Sequence, residues 1–233
     1  MTEVEWLAST DPEEIKRPNP CIKPDQMLQF LRAFRRVDKT KLGRRKLRLF
    51  ACACCRRFWS SLSEESREAL DIAERYADGE ASKKDLGYAW RISVRQYGRG
   101  PRNADAIAGH VAEASAMTAA ALVPMVCYSV FANTPRQFHE LWGEQFQQAI
   151  IVNDLFGNPF RTVPAKLASQ FSKVDSVRRL AEEIYRRNTF DDLSDLLTEL
   201  QSAGCDAPEL LEHCRQPQHF RGCWLVDHLR GIS

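Results

Sequence analysis

Between Leu47 and Trp59 the chain reads LRLFACACCRRFW, and no other stretch limits its fold as strongly. Wound at 3.6 residues per turn, Leu47, Phe50, Ala51, Cys54 and Phe58 form one stripe, and Leu49, Cys52, Cys55 and Trp59 widen it almost around the helix. A helix that is apolar on nearly every side has to be enclosed by other elements. Those elements read as helices too, because Leu, Ala, Glu, Arg, Lys and Gln dominate, β-branched residues are sparse, and alternating apolar and polar runs are hard to find. With 233 residues, 44% hydrophobic and 27% charged, the chain has the material for a buried core. The expected fold is all-α, a compact multi-helix domain of about eight or nine helices around this Cys-rich segment and an Ala-rich one.

Start and stop signals divide the chain. Thr2 and Glu5 have capping-box spacing for a short first helix. Pro18, Pro20 and Pro24 make the stretch from Lys16 an irregular connection. Asp25 is placed to cap the next helix, with Met27, Phe30, Leu31 and Phe34 on one face. Gly43 separates it from the Cys-rich helix, expected at about Arg44 to Leu62. Ser63 opens another helix and Gly79 closes it, and Ser82 with Asp85 starts the one carrying Leu86, Trp90 and Val94 on one face. Gly98 to Asn103 is a loop. A long Ala-rich helix follows from about Ala104 and is expected to bend or break at Pro124. Thr134-Pro135 starts a helix that runs to Gly157. Shorter helices are expected near Ser176–Arg187, Phe190–Ala203 and Ala207–Arg215, with a last one ending by Gly231. The chain reads either as a single helical domain, 1–233, or as two lobes, 1–156 and 165–233, joined by the loop 157–164.

Three stretches carry a resemblance: LRLFACACCRRFW, the turn DLFGNPFR at Asp154–Arg161, and AGC…HCR…HFRGCWLVDHL over Ala203–Leu229. With an opening like MTEVEWLASTDP and the run AERYADG at Ala73–Gly79, they resemble an uncharacterised family of bacterial proteins that has the same motifs in the same order. The Pro-rich stretch Glu13–Pro24 is longer here than in that pattern. The resemblance implies no activity, cofactor or catalytic residue.

Val4, Trp6 and Leu7 alternate with acids instead of following a basic start, so no secretory signal is expected. No charged residue occurs between Glu113 and Arg136, but Thr118, Ser129, Asn133 and Pro124 make a buried helix the better reading than a membrane span. Eight cysteines in a chain of this length read as reduced thiols, and the expected location is cytoplasmic.

Chemistry is thinner. Cys52, Cys54 and Cys55 lack a CxxC pair and splay around their helix, so they read as core. Near the C-terminus Cys205, Cys214, His219 and Cys223 are the candidate metal ligands, since sulfur and imidazole suit a structural zinc. His213 and His228 are close by, but His213 and Cys214 are helical neighbours that point apart. Asp227-His228 with Cys214 or Cys223 makes no recognisable catalytic set, and no Gly-rich phosphate loop or HExxH occurs. No catalytic residue and no cofactor are expected, structural zinc being the alternative.

The whole chain carries a net charge of only +2, yet its charge is unevenly spread. Between Arg32 and Arg57 stand eleven basic residues and the single acid Asp38, whereas Asp175 to Glu212 holds ten acids and four arginines. If the basic segments 32–57 and 91–102 met phosphates, the contacts would come from Arg35, Arg44, Arg45, Arg48, Arg95, Arg99 and Arg102. The preferred expectation is instead a non-enzymatic helical interaction or regulatory module with a protein partner and no membrane. A nucleic-acid-binding accessory protein is the alternative, and a zinc-stabilised protein the third reading.

Overall fold

The computed structural model describes residues 1–95, 105–132, 138–161, 170–191 and 193–232, without the side chains of 128–132 and 138–141. Twelve α-helices and no strand occur among the described residues. The chain divides into two units, Met1–Val152 and Asn153–Ser233. No helix among the described residues is long and apolar enough to cross a membrane.

The first unit begins with α1 (Glu3–Ala8), closed at its start by the reciprocal Thr2–Glu5 capping box. It buries Trp6 completely. Helix α2 (Pro24–Arg35) opens with Pro24 at its first position, so Asp25 sits in the first turn rather than at the cap. Met27 and Leu31 are buried, while Phe34 stacks on Phe30 in solvent. Helix α3 (Lys41–Arg56) is the Cys-rich one. It starts earlier than Arg44 because the Thr40 hydroxyl accepts from the Gly43 amide at 2.9 Å. It also ends earlier than Leu62, giving way to a short 3-10 turn over Trp59–Ser61. Gly43 is needed inside that first turn: a Cβ there would lie 2.1 Å from the Val37 carbonyl oxygen, so the approach from α2 to α3 closes only over glycine.

Helix α3 is the centre of this unit. Leu47, Leu49, Phe50, Cys52, Cys54 and Cys55 are all buried. It packs against α4 (Glu64–Asp78), α6 (Asp105–Val111) and α7 (Ala116–Ala132), while α5 (Lys83–Val94) packs on α4 and α6. Ser63 caps α4 through the Ser66 amide, and Gly79 ends it in the left-handed conformation. The α5 capping box of Ser82 and Asp85 is present.

The Ala-rich stretch breaks at Ala112–Ser115 rather than at Pro124. The reason lies on α3. Arg48, buried at 2% exposure, donates to the carbonyls of Val111 at 2.6 Å, Glu113 at 2.7 Å and Ala114 at 3.3 Å. A buried guanidinium needs acceptors, and the carbonyls at a helix C-terminus carry negative partial charge. The guanidinium therefore holds the chain in a turn where the sequence would continue a helix. Burial lowers the Arg48 pKa from its ordinary value, against the pull of nearby Cys52, Tyr76 and Glu113. Helix α7 then runs through Pro124, whose carbonyl accepts from Gln148 of α8 (Phe138–Phe156) at 3.2 Å. Gln148 also donates to Glu144, which is ion-paired with Arg57 at 2.6 Å.

The second unit starts in the last turn of α8. It continues with α9 (Asp175–Arg187), α10 (Ser194–Ser202), α11 (Pro208–Cys214) and α12 (Trp224–Leu229). Its core is Val177, Ala181, Ile184, Leu193, Leu196, Leu200, Leu210, Leu225, Val226 and Leu229, with Tyr185 set edge-on to Phe190. The expected loop at 98–103 and the Thr134-Pro135 start lie outside the described residues.

Two outcomes test this architecture. Burial pushes the Cys52 and Cys54 thiols well above the ordinary range and also raises Cys55 and Cys127. Cys21, by contrast, is half-exposed. Alkylation of native protein followed by peptide mass mapping should therefore modify Cys21 first and the other four only on denaturation; labelling of all five at one rate would contradict the packing. Arg48→Lys keeps the charge but cannot span three carbonyls, and should lower unfolding stability by about 2–4 kcal/mol in urea titrations.

Candidate metal centre

The second unit gathers four chemically competent side chains from three places in the chain. Asp154 lies in the last turn of α8, at the end of the apolar run Ala149–Val152. Gly157 stops that helix at φ +68°, its amide bonding the Asn153 carbonyl at 2.8 Å. His213 is the next-to-last residue of α11, a short helix begun by Pro208. His219 follows in the connection, and a turn closed by the Cys223 amide on the Phe220 carbonyl at 2.8 Å delivers Cys223 as the residue before α12.

One donor atom from each of Asp154, His213, His219 and Cys223 lies within 4.8 Å of all the others. The contacts are tight: His219 Nδ1 to Asp154 Oδ1 at 2.9 Å, His213 Nε2 to Cys223 Sγ at 3.1 Å, and His213 Nε2 to Asp154 Oδ1 at 3.3 Å. All four residues are buried, Cys223 completely. A tetrahedral zinc with ordinary bond lengths holds its nitrogen, oxygen and sulfur donors roughly 3.3–3.8 Å apart. To accept such an ion the close pairs would spread by a few tenths of an ångström and the wider ones, within 4.8 Å, would draw in, and one thiolate, two imidazoles and one carboxylate suit zinc.

The surroundings fix the group. Asp154 Oδ2 accepts from the Phe220 amide at 2.8 Å, leaving Oδ1 to face the histidines. Burial raises the Asp154 pKa, but hydrogen bonds from His213 and His219 outweigh it and hold the carboxyl below its ordinary value. Trp224 Nε1 donates to His213 Nδ1 at 3.2 Å, so the neutral His213 ring carries its proton on Nε2, facing Cys223 and Asp154. The Trp224 ring also covers Gly157, where a Cβ would come within 3.4 Å of it. His219 Nε2 is buried with no hydrogen-bond partner among the described residues. A buried, unpartnered ring nitrogen is costly in a purely structural network.

Of the ligands expected from sequence, His219 and Cys223 are in this group. Cys205 and Cys214 are not. They lie in the hydrophobic core of the unit: the Cys205 amide closes α10 on the Leu200 carbonyl at 2.9 Å, following Gly204 at φ +83°, and burial pushes the Cys214 thiol up to about 12. His213 and Cys214 do point apart, and it is the histidine that reaches the donors. Asp154 stands far from the others in sequence, and its only local signal is an acid in the apolar run AIIVNDLF before a helix stop.

The arginines expected to meet phosphate are dispersed among different environments. Arg45 pairs with Asp78 at 2.9 Å, Arg48 is enclosed as described, and Arg44 donates to the Lys39 carbonyl at 3.0 Å. Arg35 and Arg95 are exposed, at the ends of α2 and α5. Arg99 and Arg102 lie outside the described residues. Compared with family models, curated proteins and solved structures, the chain matches none.

Gly157→Ala should place a side chain in a left-handed backbone and press it against Trp224. The expected cost is about 1–2 kcal/mol, read as a lower midpoint in denaturant unfolding; an unchanged midpoint would mean that the Gly157–Trp224 contact is not formed.

Proposed function

We propose that this protein is a metal-stabilised helical protein in which one zinc ion, bound by Asp154, His213, His219 and Cys223, fastens the unit 153–233. The observation that carries the reading is the convergence of four buried donors within 4.8 Å. Four protein ligands leave no open coordination position, and their burial keeps substrate and solvent away, so the ion is structural rather than catalytic. The wider role on this reading is that of a non-enzymatic helical module.

The need for such an ion follows from the elements themselves. Helices α9 to α12 have 13, 9, 7 and 6 residues, lengths that are marginal in water without tertiary support. The ion would join the end of α8, the end of α11 and the start of α12 at one point, and its binding free energy would become folding free energy. Loading replaces the proton on His213 Nε2. The ring's single proton would move to Nδ1, facing the Trp224 N–H, so the indole would have to turn away from this contact.

Elemental analysis of protein prepared without chelator should find about one zinc per chain. Cys223→Ser and His219→Gln should each remove most of it, whereas Cys205→Ser and Cys214→Ser should retain it. Chelation should lower the melting temperature, and re-addition of zinc should restore it with a change in fluorescence that Trp224→Phe abolishes. Metal-free protein with unchanged melting behaviour on zinc addition would defeat the proposal.

A further inference from the structure

The first unit holds a cavity of about 400 Å³ bounded by α2, α3, α7 and α8, within the size range of small-molecule sites. Its walls are apolar: Leu28, Phe50, Met117, Ala121, Pro124 and Met125 contribute to them. Met125 is 61% exposed, a large apolar side chain left in water at the edge of the space. Methionine is unbranched and polarisable, so this wall adapts to an apolar guest.

The charge of the lining is one-sided. Asp25, Gln29, Gln145 and Gln148 contribute to the lining, and no lysine, arginine or histidine does. That bias is notable beside thirty-three basic residues in the chain. The Gln145 side-chain oxygen is buried and has no hydrogen-bond partner among the described residues. Pro124, in the wall, lacks the N–H that would otherwise reach back to the carbonyl of Ala120, another lining residue. A carboxylate, a carboxamide oxygen and a backbone carbonyl short of its helical donor all call for hydrogen-bond donors. A carboxylate or phosphate guest would meet Asp25 with no cation to offset it.

We infer that this cavity is a binding site for a small apolar molecule bearing a protonated amine, with its apolar body between Phe50, Met117 and Met125 and its ammonium directed to Asp25. The inference is independent of the zinc reading, since none of these residues belongs to the metal centre.

The test uses the full chain and two probes of one skeleton, 4-phenylbutylamine and 4-phenylbutyrate. Calorimetry should show saturable binding of the amine with a dissociation constant of about a millimolar or tighter. The carboxylate should bind at least about fivefold more weakly, and Asp25→Asn should erase that preference, which is the worth of one exposed ion pair. Ala121→Phe fills the space from an exposed helical position and should abolish binding. With methionine methyl labelling, the amine should shift Met117 and Met125 and leave Met1 unmoved, a readout that requires no substitution. Absence of saturable amine binding, equal or tighter binding of the carboxylate, retention of the preference in Asp25→Asn, full binding by Ala121→Phe, or shifts at Met1 as large as at Met117 would each overturn the inference.

Discussion

A guanidinium enclosed in the first unit determines how its helices are joined. Arg48 projects from the buried middle of α3, between Leu47 and Leu49, and burying its charge without partners would cost more than a small domain can bear. Three carbonyls at the turn after α6 satisfy it. They lie where the α6 ladder has ended, and the Ala-rich stretch is divided there into α6 and α7. That division lets α7 lie against α3 as a separate rod. The Tyr76 ring, with its centroid 5.3 Å from the guanidinium, brings α4 to the same charge. One side chain thus relates four helices that hydrophobic burial alone would leave free to slide.

The second unit meets a similar constraint with the opposite sign. Asp154 is a buried carboxylate, and its partners are two histidines and a backbone amide. In both units the buried charge sits where helix ends come together, and in both it fixes connections more than it adds apolar area. The difference lies in the partners. Carbonyls can only accept, so the Arg48 contacts have no proton to exchange for a cation. Imidazole and thiol groups can exchange protons for a metal ion, so the Asp154 group is open to further stabilisation by a cation.

What could be read in advance divides along the same line. The burial of Leu47, Phe50, Ala51 and Cys54 followed from spacing on one helix, because helical periodicity is a local property. The caps at Thr2, Ser63 and Ser82 and the stop at Gly79 were legible for the same reason. The break at Ala112–Ser115 was not, because its cause is a side chain on a different helix, and a sequence rich in alanine favours helix throughout. The start of α3 moved because a cap at Thr40 outweighed the glycine at 43, and that glycine serves the close approach of Val37 instead of a stop.

The candidate metal centre was half legible, and the missing half has a physical reason. A zinc finger draws its ligands from two tight turns, so its pattern is visible in a short window. Here His213 sits in a helix beside Cys214, and only one of two adjacent side chains can face a given point. Sulfur made Cys214 the more conspicuous candidate, yet Leu210 and Cys205 draw that face of α11 into the core. The core therefore selects which side chain joins the group: the face that buries apolar surface is spent on packing, and the opposite residue is left to turn toward Asp154. In small helical units a metal set is best sought among the polar residues that the apolar stripe rejects, together with the lone acid that ends an otherwise apolar helix.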